Sequence, residues 1–457
     1  MAEKEEITSL GYAEGMALFE KPVIDAGAEK IRYIQTRPIN QLSSGSGIEF
    51  VISGTGKSYI DLRRTTLHIK AKILLADGSD IPRPPLPRED PADNAELGKV
   101  APINLWFHSL FSQVDVYLQQ KLITSSSSSY FLKAYMDTIL SMCPLAREGQ
   151  LDSQLFFKDS PTNMDNSDPV SGLNRGLWTR EKYTRSSNLV DMEGVPLVDV
   201  FQLDKYILNG TSIVIKFYQT PPSLNLMAAT PGSAYKTVIE EAYLNVCKIT
   251  PTPQMLTAHQ ETLNKNFLAI YSYKKADIKR YTLPTGSYDF TQDDIFQSMI
   301  PTSLVIGFVS NAALSGSYEK KTFNFQHYFV NSVEVSVDGE SVPSRAIKTK
   351  FGEDYFDSNY INAYMSLSRG AKRTSEDHCI SRQDYPGGFS LFKFNLEADI
   401  NGEETDDSDF WPSIKTGNLR VEIHFDKPLP EPVSVIIYGT FPRIFKIDKT
   451  RDVILDL

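Results

Sequence analysis

Two stretches of this chain match each other at one constant offset. WFHSLFSQVDVYLQQ, from Trp106, and FQHYFVNSVEVSVDG, from Phe325, place His108 on His327, Leu110 on Phe329, Val114 on Val333, Asp115 on Glu334, Val116 on Val335 and Leu118 on Val337. Downstream, KAYM (Ala134, Tyr135, Met136) recurs as NAYM (Ala363, Tyr364, Met365), and SIVIKF recurs as LRVEIHF. Upstream, TTLHIKAKI and TSLVIGFV occupy equivalent places. Four elements in the same order predict one folding unit present twice, once in roughly the first 250 residues and again in the last 200.

The period of that unit is two. In TTLHIKAKILL, Leu67, Ile69, Ala71 and Ile73 alternate with Thr66, His68, Lys70 and Lys72, as a strand with one buried face requires. IEFVI, TVIEEAYLNVCKI, NFLAIYSY, FSLFKFNL and VSVIIYGTF read the same way, punctuated by Asp77-Gly78, Asn209-Gly210, Asp338-Gly339 and Asn401-Gly402. Helical spacing is confined to SSYFLKAYMDTILSM, TPQMLTAHQETLNK and SNYINAYMSLS. DIPRPPLPREDPADNAELG and KDSPTNMDNSDPVSGLNRG are too polar to bury a core and are expected as long surface loops. An antiparallel unit of about eight strands has to hide its edges, and a two-sheet jelly roll does so. The expected fold is therefore all-β: two tandem eight-stranded jelly rolls with short helices and long loops. The expected division is an N-terminal arm at 1–32, a first jelly roll at 33–255 and a second at 256–457.

Charge and cysteine content narrow the function. A net charge of −10 argues against a surface built to grip nucleic acid, which needs clustered Lys and Arg. The basic stretches KKADIKR and RGAKR are brief and read as a solvated face or as intersubunit pairs. Three well-separated cysteines, Cys143, Cys247 and Cys379, form neither a disulfide framework nor a metal knuckle, and fit a reducing compartment. The polar start MAEKEEITSL is no secretory signal, and SLVIGFVSNAAL is too short to span a bilayer. Without secretion, Asn209-Gly210-Thr211 reads as a turn despite its formal glycosylation pattern.

Each chemical motif meets a specific objection. SGTGKS resembles the end of a phosphate-binding loop at Gly56, Lys57 and Ser58, but Val51 stands where the first glycine belongs and a strand comes next instead of a helix. The six histidines (His68, His108, His259, His327, His378, His424) never form the His-x-His pair of a two-barrel cupin metal site. His108 and His327, at equivalent repeat positions, are expected to share a structural role such as a hydrogen bond to nearby backbone. Asp377, His378 and Cys379 are adjacent in sequence, which on a strand would point neighbouring side chains to opposite faces. Glu397, Asp399, Asn401 and Gly402 follow calcium-loop spacing, yet Ser408 replaces the bidentate Glu, so Glu397–Asp409 reads as a solvated acidic loop. The Ser125–Ser129 run reads as a flexible approach to a helix. No catalytic residue, metal ligand or cofactor is assigned.

Several blocks also resemble a known family. YIQTRPINQL, IEFVISGTGKSYIDLRRTTLHIKAKI, HSLFSQVDVYLQQKLI, KAYMDTIL, GFSLFKFNLEAD and TGNLRVEIHFDKPLPEPVSVIIYGTFPRIFKIDKTRDVILD, from about Tyr33 to the C-terminus, resemble the major capsid protein of Polinton (Maverick) elements and adintoviruses. The resemblance implies a non-enzymatic, hexon-like double jelly-roll protein of the virion. Three copies would form a capsomer of nearly hexagonal outline, and capsomers would tile an icosahedral shell around double-stranded DNA, assembled inside the host cell. Implied partners are further copies of the chain, penton and minor capsid proteins, and an inner membrane as a further candidate, with no sequence-specific nucleic acid. In that family a turn of this kind before YIDL is structural, which accounts for the glycines of ISGTGKSYIDL. A trimeric β-barrel protein that binds a receptor or carbohydrate is the alternative.

Overall fold

The structure, a computed structural model, describes residues 27–455 apart from 43–46, 55, 84–94, 125–126, 142–148, 231, 233, 353–357, 369–379 and 397–410. Strands make up 42% of it against a few short helices, so the chain is all-β as expected.

Every long strand pairs antiparallel, and the strands sort into two sandwiches. In the first, one sheet runs Ala28–Thr36, Tyr235–Pro251, Tyr59–Leu75, Val190–Gly194. The facing sheet runs Ile48–Ile52, Ile213–Gln219, Phe111–Leu118, Lys121–Leu122. The second sandwich repeats the plan. One sheet is Ala269–Leu283, Val433–Ile447, Ser303–Ser310, Leu391–Asn395, and the other is Asp289–Gln292, Leu419–Phe425, Val330–Val337, Glu340–Ser341. In each, the first strand lies beside the last long strand and that one beside the third, while the second lies beside the penultimate and that one beside the fourth. This is jelly-roll order, twice.

The repeat extends to register. Val114 faces Phe217, Val116 faces Ile215 and Leu118 faces Ile213. Their counterparts Val333, Val335 and Val337 face Ile423, Val421 and Leu419. Both ladders even slip at the same place, between Phe111 and Gln113 in one and between Val330 and Ser332 in the other. A one-residue slip would turn every inward side chain of a strand to water, so matched register means matched cores. Those positions are buried in both copies save Val337, which packs half-buried against the core. Each fully buried Leu, Ile or Phe contributes about 1.5–3 kcal/mol.

The three expected helices are present at Tyr130–Ser141, Pro253–Asn264 and Ile361–Ser366. Strand Ala28–Thr36 begins ahead of the expected boundary at Tyr33, because Ala28 through Thr36 extend the ladder along Pro251 to Leu244. Helix Pro253–Asn264 straddles the expected division at 255/256 and is largely exposed.

One expectation is corrected. The polar stretch 158–176 is no free surface loop. Asp159, Met164 and Asn174 within it are each 1% exposed, and the stretch packs against the second sandwich, where the Thr162 amide donates to the Gly387 carbonyl at 2.8 Å. It then leads into an unexpected helix, Arg175–Thr184, capped by the Asn174 side chain. A polar segment can be buried when its groups are paired, and these are. The other segment expected as a surface loop lies mostly outside the described residues, at 84–94.

Candidate functional site

The phosphate-loop look-alike is a junction between turns. Gly56 adopts φ +98° and Lys57 points to solvent. The chain then enters the strand Tyr59–Leu75, so no helix N-terminus is offered to an anion. Gly54 meets the Asn209-Gly210-Thr211 turn so closely that a Cβ would lie 2.4 Å from the Thr211 carbonyl oxygen. The Gly210 amide donates to the Gly54 carbonyl at 2.7 Å. Arg451, from the C-terminal segment, donates through Nε to the Asn209 carbonyl at 2.6 Å. Gly54 is there for close backbone approach, and Gly56 for its left-handed backbone.

The histidines among the described residues are dispersed. His68 stacks on Tyr243 (4.3 Å) and reaches Asp191 at 2.5 Å. His259 meets the Tyr59 hydroxyl at 2.7 Å, and His424 meets Asp289 at 2.5 Å. His108 is buried between the Tyr130 hydroxyl (2.8 Å) and the Gln154 amide oxygen (2.9 Å). Burial pushes its imidazole down to about 3. Its counterpart His327 stacks on Phe351 and accepts from the Phe329 backbone N–H at 2.9 Å, and burial pushes it down to about 4. Both hold a local fold together, but only His327 does so through the backbone.

The basic run KKADIKR lies on strand Ala269–Leu283 with Ala276 and Ile278 inward; Lys279 pairs with Asp277 at 3.1 Å. Cys247 is buried and free. Cys143, the Asp377-His378-Cys379 triplet, RGAKR at 369–373 and the acidic loop at 397–409 lie outside the described residues. Among the described residues no group of three or more His, Cys, Asp or Glu is placed to hold a metal, and no helix is long and apolar enough to cross a membrane.

The densest chemistry lies at the seam between the sandwiches, where the sequence offered no motif. Three fully buried charges meet there: Asp159 pairs with Arg180 at 2.7 Å and touches Lys321 of the second sandwich. Arg180 also donates to the carbonyls of Pro102 (2.8 Å) and Phe157 (2.6 Å). Burying charge is tolerable only when it is well paired, as Asp159 and Arg180 are. Alongside, Tyr135 stacks on Phe323 with ring centroids 4.1 Å apart and nearly parallel. A second polar bridge runs from Ala276, whose amide donates to Asp199 at 3.1 Å. Lys133 then joins Asp199 (3.1 Å) to Asp137 (2.8 Å), and Asp137 accepts from the Tyr438 hydroxyl at 2.7 Å. The Asp137 and Asp199 carboxylates hold the Lys133 ammonium above the usual lysine range despite its burial, while burial pushes Asp199 up. Such a seam suits a rigid two-barrel block.

No protein-family model matches the chain. An uncharacterized protein of Caenorhabditis elegans, F54H12.2, is 22% identical over 415 residues, covering 89% of this chain and 93% of that protein. Among solved structures, the cryo-EM structure of the Sputnik virophage aligns with a TM-score of 0.62 at 13% identity, covering 100% of this chain and 93% of that one. The Faustovirus major capsid protein aligns at 0.54 and 11%, covering 93% and 92%. The mavirus major capsid protein aligns at 0.52 and 11%, covering 100% and 97%. These neighbours are double jelly-roll capsid proteins, structural and not enzymatic, and the chain has their fold. At such identities the likeness is one of architecture.

Proposed function

We propose that this chain is the major capsid protein of a Polinton/Maverick- or adintovirus-type element, located in the virion shell. Three copies associate into a capsomer of pseudo-hexagonal outline, and capsomers tile an icosahedral shell around double-stranded DNA, meeting penton and minor capsid proteins at its special positions. No residue is catalytic in this reading. The chain divides into two jelly-roll units, the first opening with strand Ala28–Thr36 and the second following helix Pro253–Asn264.

The observation that carries the proposal is the shared register and shared ladder irregularity of the two sandwiches. A chain with two near-equivalent barrels in one rigid block offers two near-equivalent lateral faces, and a head-to-tail contact whose rotation closes yields a ring. Strand Ala28–Thr36 supports it, being an edge strand with Ile31, Tyr33 and Ile34 all more than 40% exposed. Apolar groups on an open edge suit a surface that another chain covers.

Sedimentation of the purified protein tests this. A stable trimer whose negatively stained images are hexagonal is the expected result. A monomer at concentrations where shells should form overturns it, and glycan binding by a non-assembling trimer would favour the alternative.

A further inference from the structure

Lys321 and Asp159 are separated by 162 positions, yet both side chains are fully buried and in direct contact. They join the loop before strand Val330–Val337 to the loop before helix Arg175–Thr184. An ammonium carries three N–H donors, but Asp159 Oδ2 is the one acceptor that Nζ reaches among the described residues. A buried lysine so poorly supplied would be better off losing both protons and charge.

The carboxylate is arranged unusually. Its Oδ2 faces Nζ alone, while its Oδ1 accepts from Arg180 Nη2 at 2.7 Å and from Asn174 Nδ2 at 2.9 Å. Arg180 is itself fixed by two carbonyls, so both donors are in place before any reaction. Two preorganised donors on one carboxyl oxygen stabilise charge that develops there when the carbon is attacked. Burial pushes the Lys321 amine well below the usual lysine range, which favours the nucleophilic neutral form.

We propose that Lys321 and Asp159 condense into an intramolecular isopeptide bond, a covalent clamp across the seam. A proton first passes from Nζ to Oδ2. The freed lone pair attacks Cγ, forming the N–C bond, and negative charge collects on Oδ1 beneath Arg180 and Asn174. As the carbonyl re-forms, the Cγ–Oδ2 bond breaks and Oδ2 leaves as water with a second proton from Nζ. Ammonium plus carboxylate becomes amide plus water, with no change of oxidation state and no co-reactant. Each chain reacts once, and a water-poor site opposes hydrolysis.

The intact mass of the denatured wild-type chain tests this, whatever the chain's state of assembly. The expected mass is one water below that of the sequence, after allowing for removal of the initiator Met. Digestion should yield a branched peptide joining Asp159 to Lys321, with trypsin no longer cutting after Lys321. Lys321→Met should restore the full mass; should that variant fail to fold, the wild-type mass and the branched peptide decide alone. A full-mass wild type overturns the proposal. So does a water loss that maps to Asp77-Gly78 or Asp338-Gly339, where an Asp-Gly pair can cyclise. A monomer bearing the branched peptide would retain the clamp and sink the capsid reading, whereas a full-mass trimer would do the reverse.

Discussion

The Tyr438 hydroxyl donates to the Asp137 carboxylate at 2.7 Å, tying the last long strand of the second sandwich to a helix of the first across 301 positions of sequence. Asp137 is also held by Lys133, so removing the hydroxyl weakens the carboxylate's pairing without orphaning it. Tyr438→Phe should destabilise the protein by about 1.5–3 kcal/mol, the range for a hydrogen bond to a charged group. Urea denaturation measures it; a change within error would show that the bridge contributes nothing.

The stacked pair Tyr135 and Phe323 predicts cooperativity between the halves. Phe323 is fully buried, so Phe323→Ala should cost about 3–5 kcal/mol. The wild type should unfold in one calorimetric transition because the seam couples both sandwiches, and the variant should separate into two. Two transitions in the wild type would contradict a rigid block.

Buried neutral histidines set a pH dependence. His108 and His327 are pushed down to about 3 and about 4 when folded, against an ordinary value of 6.5. Between those values the unfolded chain binds more protons than the folded one, so stability is full above 6.5 and falls as pH drops toward 4. Each histidine adds a slope of at most about 1.4 kcal/mol per pH unit. His108→Gln should flatten the curve of denaturation midpoint against pH in that window; an unchanged slope would refute the assignment.

The glycine turn predicts opposite outcomes at neighbouring residues. Gly54→Ala places a methyl group against the Thr211 carbonyl and should cost about 1–3 kcal/mol. Lys57→Ala, at an exposed position, should change stability by no more than about 0.5 kcal/mol. Calorimetric titration with ATP should register no binding by wild type or by either variant.

The strands were legible because their signal is local. Leu419, Val421, Ile423 and Phe425 alternate with Arg420, Glu422 and His424 within seven residues, and the structure buries the first set. Matching that pattern to SIVIKF also placed the two strands at equivalent points of the repeat. The seam was illegible for the opposite reason. Lys320 and Lys321 stand side by side in YEKKTF, yet one is half-exposed and the other fully buried, and nothing nearby distinguishes them. Their difference comes from Asp159, far away in a segment whose polarity suggested solvent. The alternation of Phe323 and Phe325 just beyond was the available hint that this loop turns inward. Histidines at matched positions likewise hid different partners, because repeat position fixes where a side chain starts and not what it meets.

Strand Tyr235–Pro251 completes the first sandwich before any strand of the second has been translated. As the chain leaves the ribosome, the earlier half can zip its ladders while Asp159 and Arg180 still face water. This part of the seam closes only later, when the segment around Lys321 and Phe323 arrives and drives solvent from around both charges. Until then the newborn half displays a charged notch, and afterwards that notch is gone from view.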